Sequence, residues 1–236
     1  PTRRTCRALA EAFLRHGGGR ALLLPRLMPI GDLDEDGIAV TASGDEPPIA
    51  GALALPPAMG DLRRRLLLAR MILSPGRGGG ADPVPVSPAQ AAQLADRLGR
   101  LLDEVQIEGL SFDRLGSLVP EIHARHWQTT LQFLTILTEH WPGVVAEDGC
   151  VDAAERRNLV IAARADQWRS APPATPVIAA GSTGSIPATA ELIEVAADLP
   201  EGLGVLPGLD TGLTGFDLEN LGPAHPQFGM KRLLGR

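Results

Sequence analysis

Between Pro176 and Leu206 the chain carries a pattern that few architectures accommodate. Pro176-Val177-Ile178-Ala179-Ala180 is an apolar run of strand length, and the small polar loop Gly181-Ser182-Thr183-Gly184-Ser185 follows it. Pro187 then opens a helix through about residue 197, at a position where a missing N–H costs nothing. Gly204-Val205-Leu206 makes a second strand. Strand, crossover helix and strand at this spacing form a βαβ unit, so the sheet here is parallel. Parallel sheets need cover on both faces. One short unit cannot supply that cover, so the earlier part of the chain has to contribute to the same layer.

That earlier part offers suitable pieces. Residues 3–16 predict an amphipathic helix, with Leu9, Ala10, Phe13 and Leu14 on one stripe and Arg3, Arg4, Arg7, Glu11 and Arg15 facing out. Gly17-Gly18-Gly19 stops it, and Ala21-Leu22-Leu23-Leu24 before Pro25 has the length of a strand. An irregular acidic stretch leads to a Leu- and Arg-rich helix over 58–74. Residues 76–86, rich in Gly and Pro, mark a boundary. Beyond it Ser87-Pro88 is an N-cap followed by proline at the first helical position, and Leu94, Leu98, Leu101, Leu102 and Val105 recur at helical spacing. Further helical segments are expected near 111–119, 121–141 and 152–169. The expected plan is therefore α/β over 1–75, a linker over 76–86, an all-helical insertion over 87–170, and a return to the α/β domain over 171–236.

Composition narrows the function classes. The chain is 44% hydrophobic and 21% charged, an ordinary globular balance. It has no Tyr, so its core has to be built mainly from Leu, Ala, Val and Ile. A net charge of −6 argues against a general electrostatic grip on nucleic acid and leaves only local basic patches. Two such patches stand out, Arg3-Arg4-Arg7 and Arg63-Arg64-Arg65 with Arg70; the plain alternative for each is a solvated helix face. Cys6 and Cys150 have neither disulfide-framework nor metal-knuckle spacing, which fits a reducing cytoplasm, and no apolar run suggests a membrane span.

Other motifs are weaker. The 181–185 loop stands where backbone amides could cradle phosphate, but a P-loop needs a lysine beside it, and Lys231 is the chain's one lysine. Asp32, Asp34, Asp36 and Gly37 resemble the start of a calcium loop, yet its twelfth position is Ser43 instead of a bidentate Glu. His123 and His126 share a helix face, with His140 or Cys150 as distant additions, and a further ligand at recognised spacing is missing.

Several stretches together resemble one family. They are Pro1-Thr2-Arg3-Arg4-x-Cys6-Arg7-x-Leu9, Ala21 through Arg26 to Asp32, Pro176 through Gly181-Ser182-Thr183-Gly184-Ser185 to Thr189, Leu206-Pro207-Gly208-Leu209-Asp210 and His225-Pro226-Gln227-Phe228-Gly229-x-Lys231. In this order they are similar to AddB subunits of bacterial AddAB helicase–nucleases, of alphaproteobacterial type. The likeness spans nearly the whole chain and covers the amino-terminal part of a much longer protein. A chain that starts without Met and stops within a helical pattern fits such a fragment.

The resemblance implies a RecA-like (P-loop) helicase motor domain, with an incomplete parallel sheet and a helical insertion. It implies DNA contacts at Thr2, Arg3, Arg4 and Arg26, with Ser182, Thr183 and Ser185 lining a strand-end groove. Active relatives end the strand at Ala180-Gly181 with an Asp-Glu pair that holds magnesium and orients water. Its loss here implies a degenerate ATPase motif and no catalytic residue. The implied partners are the AddA motor subunit and single- and double-stranded DNA ends, in the cytoplasm at the nucleoid, with no membrane. The family's iron–sulfur cluster and magnesium belong to a nuclease domain outside this chain, which needs no cofactor or metal of its own. Two readings compete: a small nucleotide-binding α/β enzyme using the 181–185 loop for phosphate, and a helical interaction module at 87–170 with unrelated flanks.

Overall fold

A computed structural model describes residues 3–30, 54–74, 86–112 and 133–235. The chain divides into two compact units, one of residues Pro1–Leu53 and Leu159–Arg236, the other of Ala54–Asn158. The two flanking parts thus share one unit. The class is mixed α/β, with a two-stranded parallel sheet among the described residues.

The Ala54–Asn158 unit is helical. Helix α2 (Asp61–Leu73) packs along α3 (Pro88–Ile107). Ser87 starts α3 with a reciprocal capping box: its hydroxyl accepts from the Gln90 amide at 3.3 Å, and Gln90 Oε1 accepts from the Ser87 amide at 2.9 Å. After Phe133 the helix widens into a π turn at Ile136–His140 and continues as α4 (Trp141–Glu147). Helix α5 (Ala153–Ser170) begins here and crosses the unit boundary. Leu68, Met71 and Ile72 of α2 meet Leu98 and Leu102 of α3 and Ile136, Leu137 and Trp141 in one core. This packing draws α2 into the helical unit, although the sequence pattern assigns residues 61–73 to the first α/β part.

In the other unit, β1 (Val177–Ala180) pairs in parallel with β2 (Gly202–Val205), from Val177↔Gly202 to Ala180↔Val205. Helix α6 (Pro187–Asp198) crosses between them and buries Ala190, Leu192, Ile193, Val195 and Ala196. Leu192 and Val195 join Ile161 and Ala165 of α5 in a small core, flanked by Ile30 and Trp168. The turn from α6 into β2 is tight: a Cβ on Gly202 would stand 2.0 Å from the Ala196 carbonyl oxygen. Two short helices follow, α7 (Gly215–Asn220) and α8 (Phe228–Leu234).

Two expectations need correction. Residues 21–24 form no strand; they run as irregular chain, with Leu23 97% exposed. A strand exists only where neighbouring backbone satisfies its N–H and C=O groups, and among the described residues β1 pairs only with β2. The face carrying Ile178 (59% exposed), Leu203 and Val205 is also uncovered among the described residues. Helix α1 (Arg3–His16) forms as the periodicity predicts, but Leu9, Phe13 and Leu14 stay exposed and none of its residues is buried. Of the helices expected at 111–119 and 121–141, residues 113–132 lie outside the described residues, while residues 133–141 are helical.

Candidate functional site

The βαβ unit places residues 181–185 at the carboxyl edge of β1, where open parallel sheets hold their ligands. The Gly181 amide donates to Val205 O at 2.9 Å, extending the ladder by one residue past Ala180. Gly181 (φ 77°) and Gly184 (φ 63°) take left-handed conformations that let the loop turn sharply from strand to helix. The loop then folds on itself. Gly184 N donates to Ser182 Oγ at 3.3 Å, and Thr183 Oγ1 donates to Ser185 Oγ at 3.4 Å. The Gly184 amide is therefore already used within the loop.

Helix α8 seats against this loop. A Cβ on Gly184 would lie 3.0 Å from Leu233 Cδ2, and one on Gly229 would lie 3.2 Å from Thr183 O and 3.3 Å from Ser185 Cβ. Gln227 ties the start of α8 to the loop after β2: its Nε2 donates to Gly208 O at 2.8 Å, and its Oε1 accepts from the Asp210 amide at 3.2 Å. Lys231 Nζ donates to Glu219 O at 2.9 Å. The lysine that a nucleotide site would need is thus held on the carbonyl of a neighbouring helix. This weighs against the phosphate-binding enzyme reading.

Among the other expected site residues, Arg3, Arg4 and Arg26 are exposed in the same unit as the loop, and Thr2 lies outside the described residues. Arg3 and Arg26 are each engaged in interactions within the chain. In the second basic cluster, Arg63, Arg64 and Arg65 each face a carboxylate. Arg63 forms a bidentate pair with Asp148 at 2.6 and 2.8 Å, and Arg65 Nε lies 2.9 Å from Asp96. This pairing raises the pKa of Arg63 and holds the Asp148 carboxyl below its usual range, the hydrogen bond being the main cause for both.

Arg64 is buried. Its Nη1 donates to Asp103 at 2.8 Å, its Nη2 to Gly99 O at 3.0 Å, and its Nε stands 2.9 Å from Asp152 Oδ1 as an ion pair without hydrogen-bond alignment. Asp152 Oδ2 in turn accepts from Trp141 Nε1 at 2.9 Å and from Gln106 Nε2 at 3.0 Å. Arg64 therefore organises the interior of the helical unit, while Arg63 and Arg65 stay at its surface, each against a carboxylate. A triplet of arginines gives no sign in sequence of which member turns inward.

A cleft of about 940 Å³ opens in the helical unit beside this network, between Val105, Gln106, Leu137, Trp141, Asp152 and Glu155. Desolvation, and secondarily the charge of Asp152, pushes the Glu155 carboxyl above its ordinary range. Among the described residues no group of three His, Cys, Asp or Glu side chains is placed to hold a metal ion. His140 lies in the π turn and Cys150 is half-buried, its Sγ donating to Asp148 O at 3.4 Å. Asp32, Asp34, Asp36, Gly37, His123 and His126 fall outside the described residues. No helix among those residues is long and apolar enough to cross a membrane.

By class, then, this is a mixed α/β chain with a parallel βαβ unit whose first strand runs into a loop of hydroxyls and glycines. Comparison with protein-family models, with curated proteins and with solved structures finds no match for it.

Proposed function

We propose that the chain is the helicase-like, non-catalytic region of an AddB-type subunit. In this reading the α/β unit is a RecA-like motor shape that guides a single DNA strand during double-strand break repair by homologous recombination, and the chain supports an AddA-type motor partner. One observation carries it: β1 runs out at Ala180-Gly181 into a hydroxyl-bearing loop at the edge where a motor would hold magnesium and water with two carboxylates. Without those acids the edge cannot organise ATP hydrolysis. It can still offer Ser182, Thr183 and Ser185 to a phosphate backbone, with Arg3, Arg4 and Arg26 supplying local positive charge on a chain that is acidic overall.

The test is binding of a fluorescent oligo-deoxythymidine across a salt series. Single-strand contacts contribute roughly 0.7 each to the slope of log affinity against log salt. Arg3→Ala/Arg4→Ala should therefore lower that slope by about 1.4 and weaken binding regardless of base sequence. Unchanged affinity and slope would remove the cluster from the DNA path.

A further inference from the structure

Helix α8 touches both loops at the carboxyl edge of the βαβ unit. Gly229 lies against Thr183 and Ser185 of the loop after β1, Leu233 covers Gly184, and Gln227 holds Gly208 and Asp210 after β2. Both contact points with the first loop are trimmed to glycine. A side chain at 184 would press on Leu233, and one at 229 would press on the Thr183 carbonyl and the Ser185 side chain. The seat is close but lightly anchored, since Met230 is the one buried residue of this short helix. Exposed hydrogen bonds also tie it down, two made by Gln227 and one by Lys231.

We propose that α8 is a strap closing the carboxyl edge of the βαβ unit, and that a phosphate-bearing strand engages the 181–185 loop only when Leu233 and Gly229 lift from it. This rests on the single-strand reading above and adds a gate to it. With the strap seated, Gly184 is buried under Leu233 and its amide is turned to Ser182 Oγ. Lifting the strap uncovers the loop backbone and lets the Gly184 amide exchange Ser182 Oγ for a phosphate oxygen. Apparent affinity then scales with the fraction of molecules whose strap is lifted.

The geometry supplies its own lock. An ideal Cβ at 229 lies 3.3 Å from Ser185 Cβ, slightly short of the separation of roughly 3.5–4.5 Å that a disulfide spans, so a small outward shift of the helix lets the bond form. Ser185→Cys/Gly229→Cys, made with Cys6→Ser and Cys150→Ser, should close on oxidation. The oxidised protein is expected to bind oligo-deoxythymidine about tenfold or more weakly than the same protein reduced, in keeping with a much smaller open fraction. Equal affinity in the two redox states overturns the strap. A second measurement needs no DNA. Leu233→Ala should speed hydrogen exchange at residues 182–186 and leave the amides of α6 unchanged; unaltered exchange at 182–186 overturns the strap whatever the binding result. Absence of binding in both redox states overturns the single-strand reading alone, and the exchange result then decides the strap.

Discussion

Asp152→Asn takes one negative charge out of the helical unit and leaves the shape of the side chain almost unchanged. The native carboxylate is 2% exposed; it receives the Trp141 indole at 2.9 Å and the Gln106 amide at 3.0 Å, and it faces Arg64 Nε at 2.9 Å. The variant keeps a carbonyl oxygen for the indole and the glutamine, so the loss is chiefly ionic. Stranding one partner of a buried pair costs about 3–5 kcal/mol. Here Asp103 and Gly99 O still receive the guanidinium, which points to the lower end, about 3 kcal/mol. Arg64→Met should relieve much of that cost when added to Asp152→Asn, because an apolar side chain of similar length removes the stranded cation. The double-mutant cycle should give a coupling of about 2 kcal/mol. Urea unfolding followed by far-ultraviolet circular dichroism reads this as a lower midpoint at constant slope. A loss below about 0.5 kcal/mol in the Asn variant, or strict additivity of the two substitutions, would show that the pair does not hold this interior.

Three further outcomes follow from other parts of the structure. Ser87→Ala removes the capping box of α3 and should cost about 1 kcal/mol, with faster hydrogen exchange confined to the first turn of that helix. Gly202→Ala drives a Cβ to 2.0 Å from the Ala196 carbonyl, so the α6–β2 turn must move; a loss of about 1–3 kcal/mol is expected, and an unchanged unfolding midpoint would contradict the close approach. Glu155 has a folded pKa above its ordinary 4.5, so the folded state binds the extra proton and stability falls as pH rises from that value through the folded pKa. Glu155→Gln should therefore stabilise the chain at neutral pH and flatten the pH dependence of its unfolding midpoint across that window, whereas a steeper dependence would reverse the assignment.

Local chemistry in this chain is written where the signal is local. Ser87-Pro88 states the start of α3, Gly17-Gly18-Gly19 the end of α1, and the run from Pro176 to Val205 a parallel crossover, because caps, glycine stops and short apolar runs act within a few residues. Ala21 to Leu24 misleads because strand formation is settled by a neighbour, and hydropathy alone reports no neighbour. The same limit hides the site. Ala180 is visible as the end of a strand lacking acids, but nothing in Phe228-Gly229-Met230 announces that the glycine meets Thr183 some 46 residues earlier. Arg63, Arg64 and Arg65 look equivalent in sequence; the helical turn sends each to a different carboxylate, and only Arg64 is taken inside.

The π turn at Ile136–His140 holds one residue more than an α-helical turn would. Each residue advances an α-helix by about 100°, so losing that one would swing everything after it by the same angle and draw it back about 1.5 Å. Trp141 would then carry its indole N–H away from Asp152, and the Arg64 network would lose its aromatic donor. The bulge sets the phase of the helix behind it, and a one-residue deletion there is a sharper perturbation than any single side-chain change nearby.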